Sequence, residues 1–394
     1  MKKVLFFSFP ASGHVNSSLE LCEELAKHDI VFKYVTFKEY FQKFKYIDNI
    51  QMVDYCEEFR NYYFDNEERS GQIKANLIAL LNMLYTMTNI LCPFVYDLIQ
   101  KEKPDLLICD PFIIAAKMAA KAKNVEYSLF FSLLVQNPVG NKMPPGILKT
   151  ILRHPILLGK TIGLSKDINK RYGEFCDEPG DLLSHQGVKT IVTTAMEFHP
   201  YGDLYPENVY FAGPINREVE LKEKDEKLIF LSMGTIESNA PAIEAFIDIV
   251  GQTDYKLVVT LANNKQIKID RSKLPKNVII YDNLTPTEYR SMIARAILFI
   301  NSGGINSVSE AILSLTPMLI CPSSQETHDM GVLVQKYHCG ILYDHKHIKT
   351  DLLKKAAKTV LTDRTTTNGL KTYRKYLLNS MGFAKAADEL LKNL

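Results

Sequence analysis

Short apolar runs of β character alternate with helical patterns from one end of this 394-residue chain to the other. Strands joined through helices run parallel, in sheets covered on both faces. The first half supplies Val4–Phe9, Ile30–Thr36, Leu106–Cys109, Tyr127–Phe131 and Thr190–Thr193. The second half supplies Leu228–Ser232, Lys256–Leu261, Val278–Tyr281, Ile297–Ile300 and Met318–Cys321. Two parallel sheets, and so two doubly wound α/β domains, are expected; the length and a 46% hydrophobic content suffice for two cores. Between the halves, Gly213-Pro214-Ile215-Asn216-Arg217 and the mixed-charge run Lys222–Lys227 have nothing to bury and read as an exposed linker. Helix starts are read at Ser17-x-x-Glu20, at Asn239-Ala240-Pro241, and at Thr285-Pro286 with Glu288. Phe383–Leu394 reads as a short amphipathic helix after Gly382.

Phe299–Tyr343 carries the densest chemistry. An apolar strand runs into Ser302-Gly303-Gly304, then into a helix opened by Asn306 and Ser307. Glycine lets backbone approach a ligand closely, and a helix N-terminus offers N–H groups and a positive dipole end, a cradle suited to a diphosphate. Glu310, one turn on, is placed to accept hydrogen bonds from the two hydroxyls of a ribose. Ser307-x-x-Glu310 is equally a plain capping box, and Gly-Gly before a helix is ordinary turn chemistry. In the first half, His14 follows the first strand and Asp110 follows Leu106–Cys109. Parallel strands put their carboxyl ends on one edge, where ligands bind, so these two side chains can meet. A histidine held by a carboxylate is a general base titrating near neutrality. Taken alone, the histidine is more ordinarily structural or exposed, and the aspartate a strand-end cap before Pro111.

Other classes are disfavoured. The 47 basic residues are scattered among 45 acidic ones, for a net charge of +2, which gives no footprint for nucleic acid or an anionic membrane. Seven cysteines, at 22, 56, 92, 109, 176, 321 and 339, form no Cys-x-x-Cys pair and are expected as buried, reduced thiols. The apolar opening stops at Pro10, too soon for a signal peptide. No stretch is expected to reach the roughly 18 uncharged apolar residues needed to span a bilayer, so no transmembrane segment and a soluble, cytoplasmic protein are anticipated. No Gly-x-Gly-x-x-Gly follows a strand, against a dinucleotide dehydrogenase, and no Asp-x-Asp triplet is present to hold a catalytic metal.

Gly304, Asn306, Ser307, Glu310, Pro317 and Pro322 fall at the spacing of the donor-binding signature of the UDP-glycosyltransferase superfamily (family 1 glycosyltransferases, here of the bacterial macrolide/flavonoid type), which the chain resembles across both halves. The resemblance is weakest between Phe41 and Lys103. It implies the GT-B fold: two facing Rossmann-like domains, residues 1–215 for the acceptor and 227–376 for the nucleotide sugar, with 377–394 returning to the first. The function implied is inverting, metal-independent transfer of a hexose from a nucleoside-diphosphate sugar, UDP-glucose first, to a hydroxyl of a small hydrophobic natural product, aromatic or macrocyclic. No cofactor is implied, the nucleotide sugar being a co-substrate. Carried over residue by residue, His14 is the base and Asp110 its orienter. Gly13, Gly234, Thr235, Leu284, Ser302, Gly304, Asn306, Ser307, Glu310, Glu326 and Thr327 form the donor set. Met83 and Met87, on the helical pattern Ile73–Leu91, and Phe131 are acceptor candidates, with core packing as the plainer role for the methionines. The chain departs from the family at Ser17, where a proline is usual, at Ser302, where a histidine touches phosphate, and at Thr327, where a glutamine holds sugar hydroxyls. Asn283-Leu284 also lacks the aromatic residue that stacks on the base. These departures keep two rivals open: a non-catalytic partner protein of the same fold, and a sugar-nucleotide epimerase.

Overall fold

The computed structural model describes residues 1–67, 77–134, 154–173, 184–234, 240–264, 267–343, 362–392 and 394. They divide into two compact units, Met1–Ile215 with Ser380–Leu394, and Asn216–Asn379.

The first unit is built on a seven-stranded sheet in the order β3-β2-β1-β4-β5-β6-β7, every pair parallel. Its strands are β1 (Lys2–Phe7), β2 (Ile30–Thr36), β3 (Ile50–Asp54), β4 (Leu106–Cys109), β5 (Glu126–Phe131), β6 (Thr190–Val192) and β7 (Val209–Phe211). Helices α1 (Ser12–Ala26), α2 (Glu57–Glu67), α3 (Leu77–Glu102), α4 (Ile114–Lys123) and α5 (Pro155–Tyr172) intervene, and the chain ends in α11 (Phe383–Leu391). Alternate strand residues Val4, Phe6, Leu106, Ile108 and Phe130 face Val15, Leu21, Cys22 and Leu25 of α1. On α11, Phe383, Ala386, Ala387 and Leu390 recur at helical spacing and complete the same core. The N–H groups of Met381 and Gly382 donate to the carbonyls of Phe211 and Ala212, which fixes that helix's approach.

Two expectations are corrected in this unit. Helix α1 starts at Ser12 with Ala11 as its N-cap, not at Ser17. The Ser17 hydroxyl instead donates back to the Gly13 carbonyl at 2.7 Å, a bond only a residue already inside the helix can make. Helix α3 also overturns the statement that no stretch is apolar enough to span a bilayer: Ile78–Glu102 passes by length and composition. Its side chains Leu84, Met87, Leu91 and Val95 are buried at helical spacing, Pro93 interrupts it, and it packs on α2, α4 and α5. That is the pattern of a core helix.

The second unit repeats the plan with six parallel strands in the order β10-β9-β8-β11-β12-β13. They are β8 (Leu228–Ser232), β9 (Lys256–Thr260), β10 (Val278–Tyr281), β11 (Leu298–Asn301), β12 (Met318–Ile320) and β13 (Gly340–Leu342). The helices are α6 (Ala240–Gly251), α7 (Pro286–Arg295), α8 (Ile305–Leu313), α9 (Gln325–Lys336) and α10 (Arg364–Leu378). Ile243, Phe246, Ile247 and Val250 of α6 cover one sheet face at Ile229, Leu231, Leu257, Val259 and Ile300. On the other face the Phe230 and Phe299 rings stack with centroids 5.3 Å apart. Helix α7 opens on the expected capping box, Thr285 with Glu288 and with Pro286 in the first turn.

Candidate active site

In the first sheet the connection order reverses between β1 and β4, and in the second between β8 and β11. Open α/β sheets bind ligands at the carboxyl ends of strands beside such a reversal. His14, Asp110, Gly234 and Ser302, which follow those four strands, lie there.

At the first reversal, Phe7 of β1 is in register with Cys109 of β4. That places Asp110, the next residue, beside the loop leading into α1. His14 lies in the first turn of α1, where its Nδ1 is 2.6 Å from Asp110 Oδ2. Asp110 is 1% exposed and His14 15% exposed, so the carboxylate is enclosed while the imidazole keeps an open side. The second carboxylate oxygen accepts from the Phe112 N–H at 3.0 Å, and the Asp110 carbonyl accepts from Ile113. These bonds hold the carboxylate in one orientation. With Nδ1–H donated to the carboxylate, Nε2 is the nitrogen left to take a proton. The imidazole is flanked by Phe9 at 5.1 Å and Phe112 at 5.4 Å between ring centroids.

At the second reversal the loops carry glycines and hydroxyls. Gly234 after β8 has φ +84, and a Cβ there would lie 3.7 Å from the Ser302 hydroxyl, so the two loops abut. Gly303 has φ +94, and a Cβ on it would sit 2.7 Å from the Thr327 carbonyl and 2.9 Å from Ile320. Only glycine fits that turn. The Asn301 side chain accepts from the Gly303 N–H at 2.8 Å and tightens it. Gly304 is the N-cap of α8, no described side chain caps the helix, and its Cβ position is open for at least 4 Å. The first i→i−4 bond runs from Val308 to Gly304. The capping-box alternative for Ser307-x-x-Glu310 is thereby removed, because the helix begins two residues before Ser307.

Ser307 is 3.0 Å from the Tyr289 hydroxyl, and Ser232 is a second hydrogen-bond partner of that phenol. Burial raises the Glu310 carboxyl from 4.5 to about 7, with the Arg290 charge opposing the rise. A carboxyl poised there changes charge readily when hydroxyl donors arrive.

The other named residues are placed as follows. Gly13 is in α1 beside His14, with nothing within 4 Å of its Cβ position. Leu284 is half-buried just before the α7 cap, and Glu326 is exposed in the first turn of α9. Thr327 is the third residue of α9, and its hydroxyl accepts from the Ser323 and Ser324 N–H groups, so it is committed to the helix cap. Met87 and Phe131 are 2% and 0% exposed and serve the core, while Met83 is half-buried. Thr235 and Asn239, Cys176, and the first residues of the Ile73–Leu91 pattern lie outside the described residues. Three contributors were not anticipated: Tyr289, Phe9 and Phe112. Each lies within five residues of a residue already singled out, but only the fold gathers Phe9 and Phe112 around His14.

No family model matches the chain. It is 26% identical over 402 residues to an uncharacterized UDP-glucosyltransferase, YojK, of Bacillus subtilis (strain 168), covering 100% of this chain and 97% of the relative. It is 24% identical over 409 residues to the NDP-glycosyltransferase YjiC of the same organism, covering 99% and 97%. Among solved structures, the glycotransferase of kitacinnamycin superposes with a TM-score of 0.80 over 98% of both chains at 18% identity. The end-to-end match in sequence and architecture leads to one conclusion: the chain is a glycosyltransferase of the GT-B fold, consistent with the family 1, or UDP-glycosyltransferase, superfamily.

Proposed function

We propose that the protein is an inverting, metal-independent glycosyltransferase that moves a hexose from a nucleoside-diphosphate sugar, UDP-glucose first, to a hydroxyl of a small hydrophobic natural product. The observation that carries this reading is the 2.6 Å contact between His14 Nδ1 and the enclosed Asp110 carboxylate. His14 Nε2 takes the acceptor's hydroxyl proton as the oxygen attacks the anomeric carbon, and Asp110 stabilises the imidazolium that forms. The bond from that carbon to the diphosphate breaks, and its electron pair leaves with the nucleotide. Leaving-group charge is met by the N–H groups at the start of α8, by the Gly234 loop and by the Ser302 hydroxyl. Glu310 accepts from the ribose hydroxyls, with Tyr289 and Ser307 fixing the wall beside it. The described cysteines are free and mostly buried, which suits a cytoplasmic site of action.

Purified protein is incubated with UDP-glucose and a panel of hydroxylated natural products, and both UDP release and addition of a hexose mass are followed. Acceptor-dependent UDP release with a β-linked product is expected. An α-linked product removes the inverting mechanism, and activity lost to a chelator and restored by a divalent cation removes metal independence.

A further inference from the structure

Asp110 opens a turn that holds two groups against the His14 imidazole, its own carboxylate and the Phe112 ring. Backbone bonds fix where the turn begins: the Asp110 N–H donates to the Phe7 carbonyl at 2.9 Å, and the Asp110 carbonyl accepts from Ile113 at 3.0 Å. The middle of the turn is held differently. Pro111 has no N–H to anchor it. Among the described residues its carbonyl accepts from no backbone N–H either, since the bonds of α4 start one turn on, from Ala116 to Ile113. Lys117 supplies the missing donor, with its Nζ 2.9 Å from the Pro111 carbonyl.

Lys117 is fully buried, the one charged side chain in the buried run Ile114–Ala120 of α4. Lysine is rarely found so, because stripping water from an ammonium costs stability. The residue before Asp110 shows what this charge faces. Burial pushes the Cys109 thiol up to about 12, while the Lys117 charge lowers it and the Asp110 charge raises it. One side chain at the end of β4 thus feels the ammonium and the carboxylate together, so both charges lie within range of the same strand end. A charged donor also holds a carbonyl more firmly than a neutral one does.

We infer that Lys117 is a positioning residue of the transferase: through the Pro111 carbonyl it holds the 110–112 turn, so that the Asp110 carboxylate keeps the His14 ring in one orientation and in its Nδ1–H form. Being fully buried, Lys117 reaches neither substrate and acts only through Asp110. The contact it protects is short and directional, 2.6 Å from His14 Nδ1 to Asp110 Oδ2. Such a contact weakens steeply when either partner swings, and a misplaced base loses rate without losing ligand affinity. The inference rests on His14 and Asp110 being base and orienter.

The test compares Lys117→Met, which fills similar space with no donor and no charge, with Lys117→Gln, which keeps a donor but ends one bond short. Each variant's Tm and its UDP-induced Tm shift report folding and donor binding. Nitrogen NMR of histidine-labelled protein reads the His14 ring directly, with His14→Ala locating its signals. Nδ1 should carry the proton of the neutral ring in the wild-type enzyme, and the two tautomers should mix in both variants. With UDP-glucose and the panel acceptor turned over fastest, kcat should fall about tenfold in each while KM for UDP-glucose stays within about twofold. Added to Asp110→Asn, Lys117→Met should lower kcat no further, because the residue it acts through is already disabled. A wild-type tautomer and kcat in either folded variant, or the same tenfold loss on top of Asp110→Asn, overturn the inference and leave the transferase reading intact. Undiminished kcat in Asp110→Asn alone removes the underlying reading instead.

Discussion

Two strand reversals of the same kind, one in each unit, carry opposite chemistry. After β1 and β4 the chain places an imidazole, a carboxylate and a set of aromatic rings, nearly all held by side-chain contacts. After β8 and β11 it places positive-φ glycines, hydroxyls and an uncapped helix start, so backbone N–H groups do the presenting. The first edge is suited to moving a proton; the second is suited to cradling a polyanion. The lesson is that the sheet plan supplies only a location, and the half-dozen residues after each strand decide what happens there.

The contrast is broken most severely at the first edge. His14→Ala is expected to lower kcat by on the order of 10³ with little change in the affinity for UDP, because only the proton acceptor is lost. Asp110→Asn, which keeps the shape but offers the imidazole the wrong partner, should follow at about 10² or more. Turnover and UDP binding are measured on the same preparations. A fall in UDP affinity as large as the fall in kcat would mean that the two edges are not separable in role.

A stability pair sharpens the comparison next. Gly303→Ala must put a Cβ into the Thr327 carbonyl and Ile320 at a φ of +94, and a loss of about 2 kcal/mol or more in unfolding free energy is expected. Gly13 sits in a helix with nothing within 4 Å of its Cβ position. Gly13→Ala is therefore expected to be neutral or stabilising by up to about 1 kcal/mol. Denaturant melts of both variants check this, and equal destabilisation would refute the claim that only the second edge is built from obligatory glycine.

The architecture was legible because buried parallel strands announce themselves as short apolar runs. Ile30–Thr36, Leu106–Cys109, Leu228–Ser232 and Val278–Tyr281 are found with the bounds read from the sequence. Strands β3, β7 and β13 escaped because each is an edge strand: β3 mixes polar with apolar residues, and β7 and β13 are only three residues long. The His14–Asp110 contact was legible because register, not sequence distance, brings strand ends together. Thr327 was not, since a hydroxyl at a helix start serves either cap or ligand and spacing cannot separate the two. The long helix 77–102 was anticipated as the pattern Ile73–Leu91, but its apolar length was underestimated because Asn and Thr interrupt its apolar stripe without adding charge. The rings flanking His14 were missed because Phe9 and Phe112 come from segments far apart in sequence, and only the fold gathers them.

Glu310 supplies a titration at the second edge. Its carboxyl is raised from 4.5 to about 7 by burial. As pH rises from about 4.5 to about 7, the unfolded chain gives up this proton before the folded one does, so this group's contribution to stability declines across that window. Hydroxyl donors from a ribose favour the ionised form, so nucleotide binding runs the other way. UDP affinity should strengthen by up to about tenfold per pH unit towards pH 7 and then level off. Isothermal titration between pH 5 and 8 reads this directly, and Glu310→Gln should flatten the profile. A wild-type affinity independent of pH would detach Glu310 from the nucleotide.

The smallest effect belongs to Ser302, where a neutral hydroxyl faces the Gly234 loop. One hydrogen bond from such a group contributes about 1 kcal/mol net, so Ser302→Ala should weaken UDP by about fivefold and leave UMP, with one phosphate fewer, less affected. Ser302→His tests the same point in the other direction. An imidazolium adds charge that the cradle otherwise lacks, so UDP affinity should rise at pH 6 and the gain should fade by pH 8 as the ring loses its proton. Adding salt should erode the histidine variant's gain more than it erodes the serine enzyme's affinity, because a charge pair is screened where a neutral hydrogen bond is not. A gain that persisted at pH 8 and in high salt would point to packing in the loop, and the view of this edge as an anion site held by uncharged donors would have to be given up.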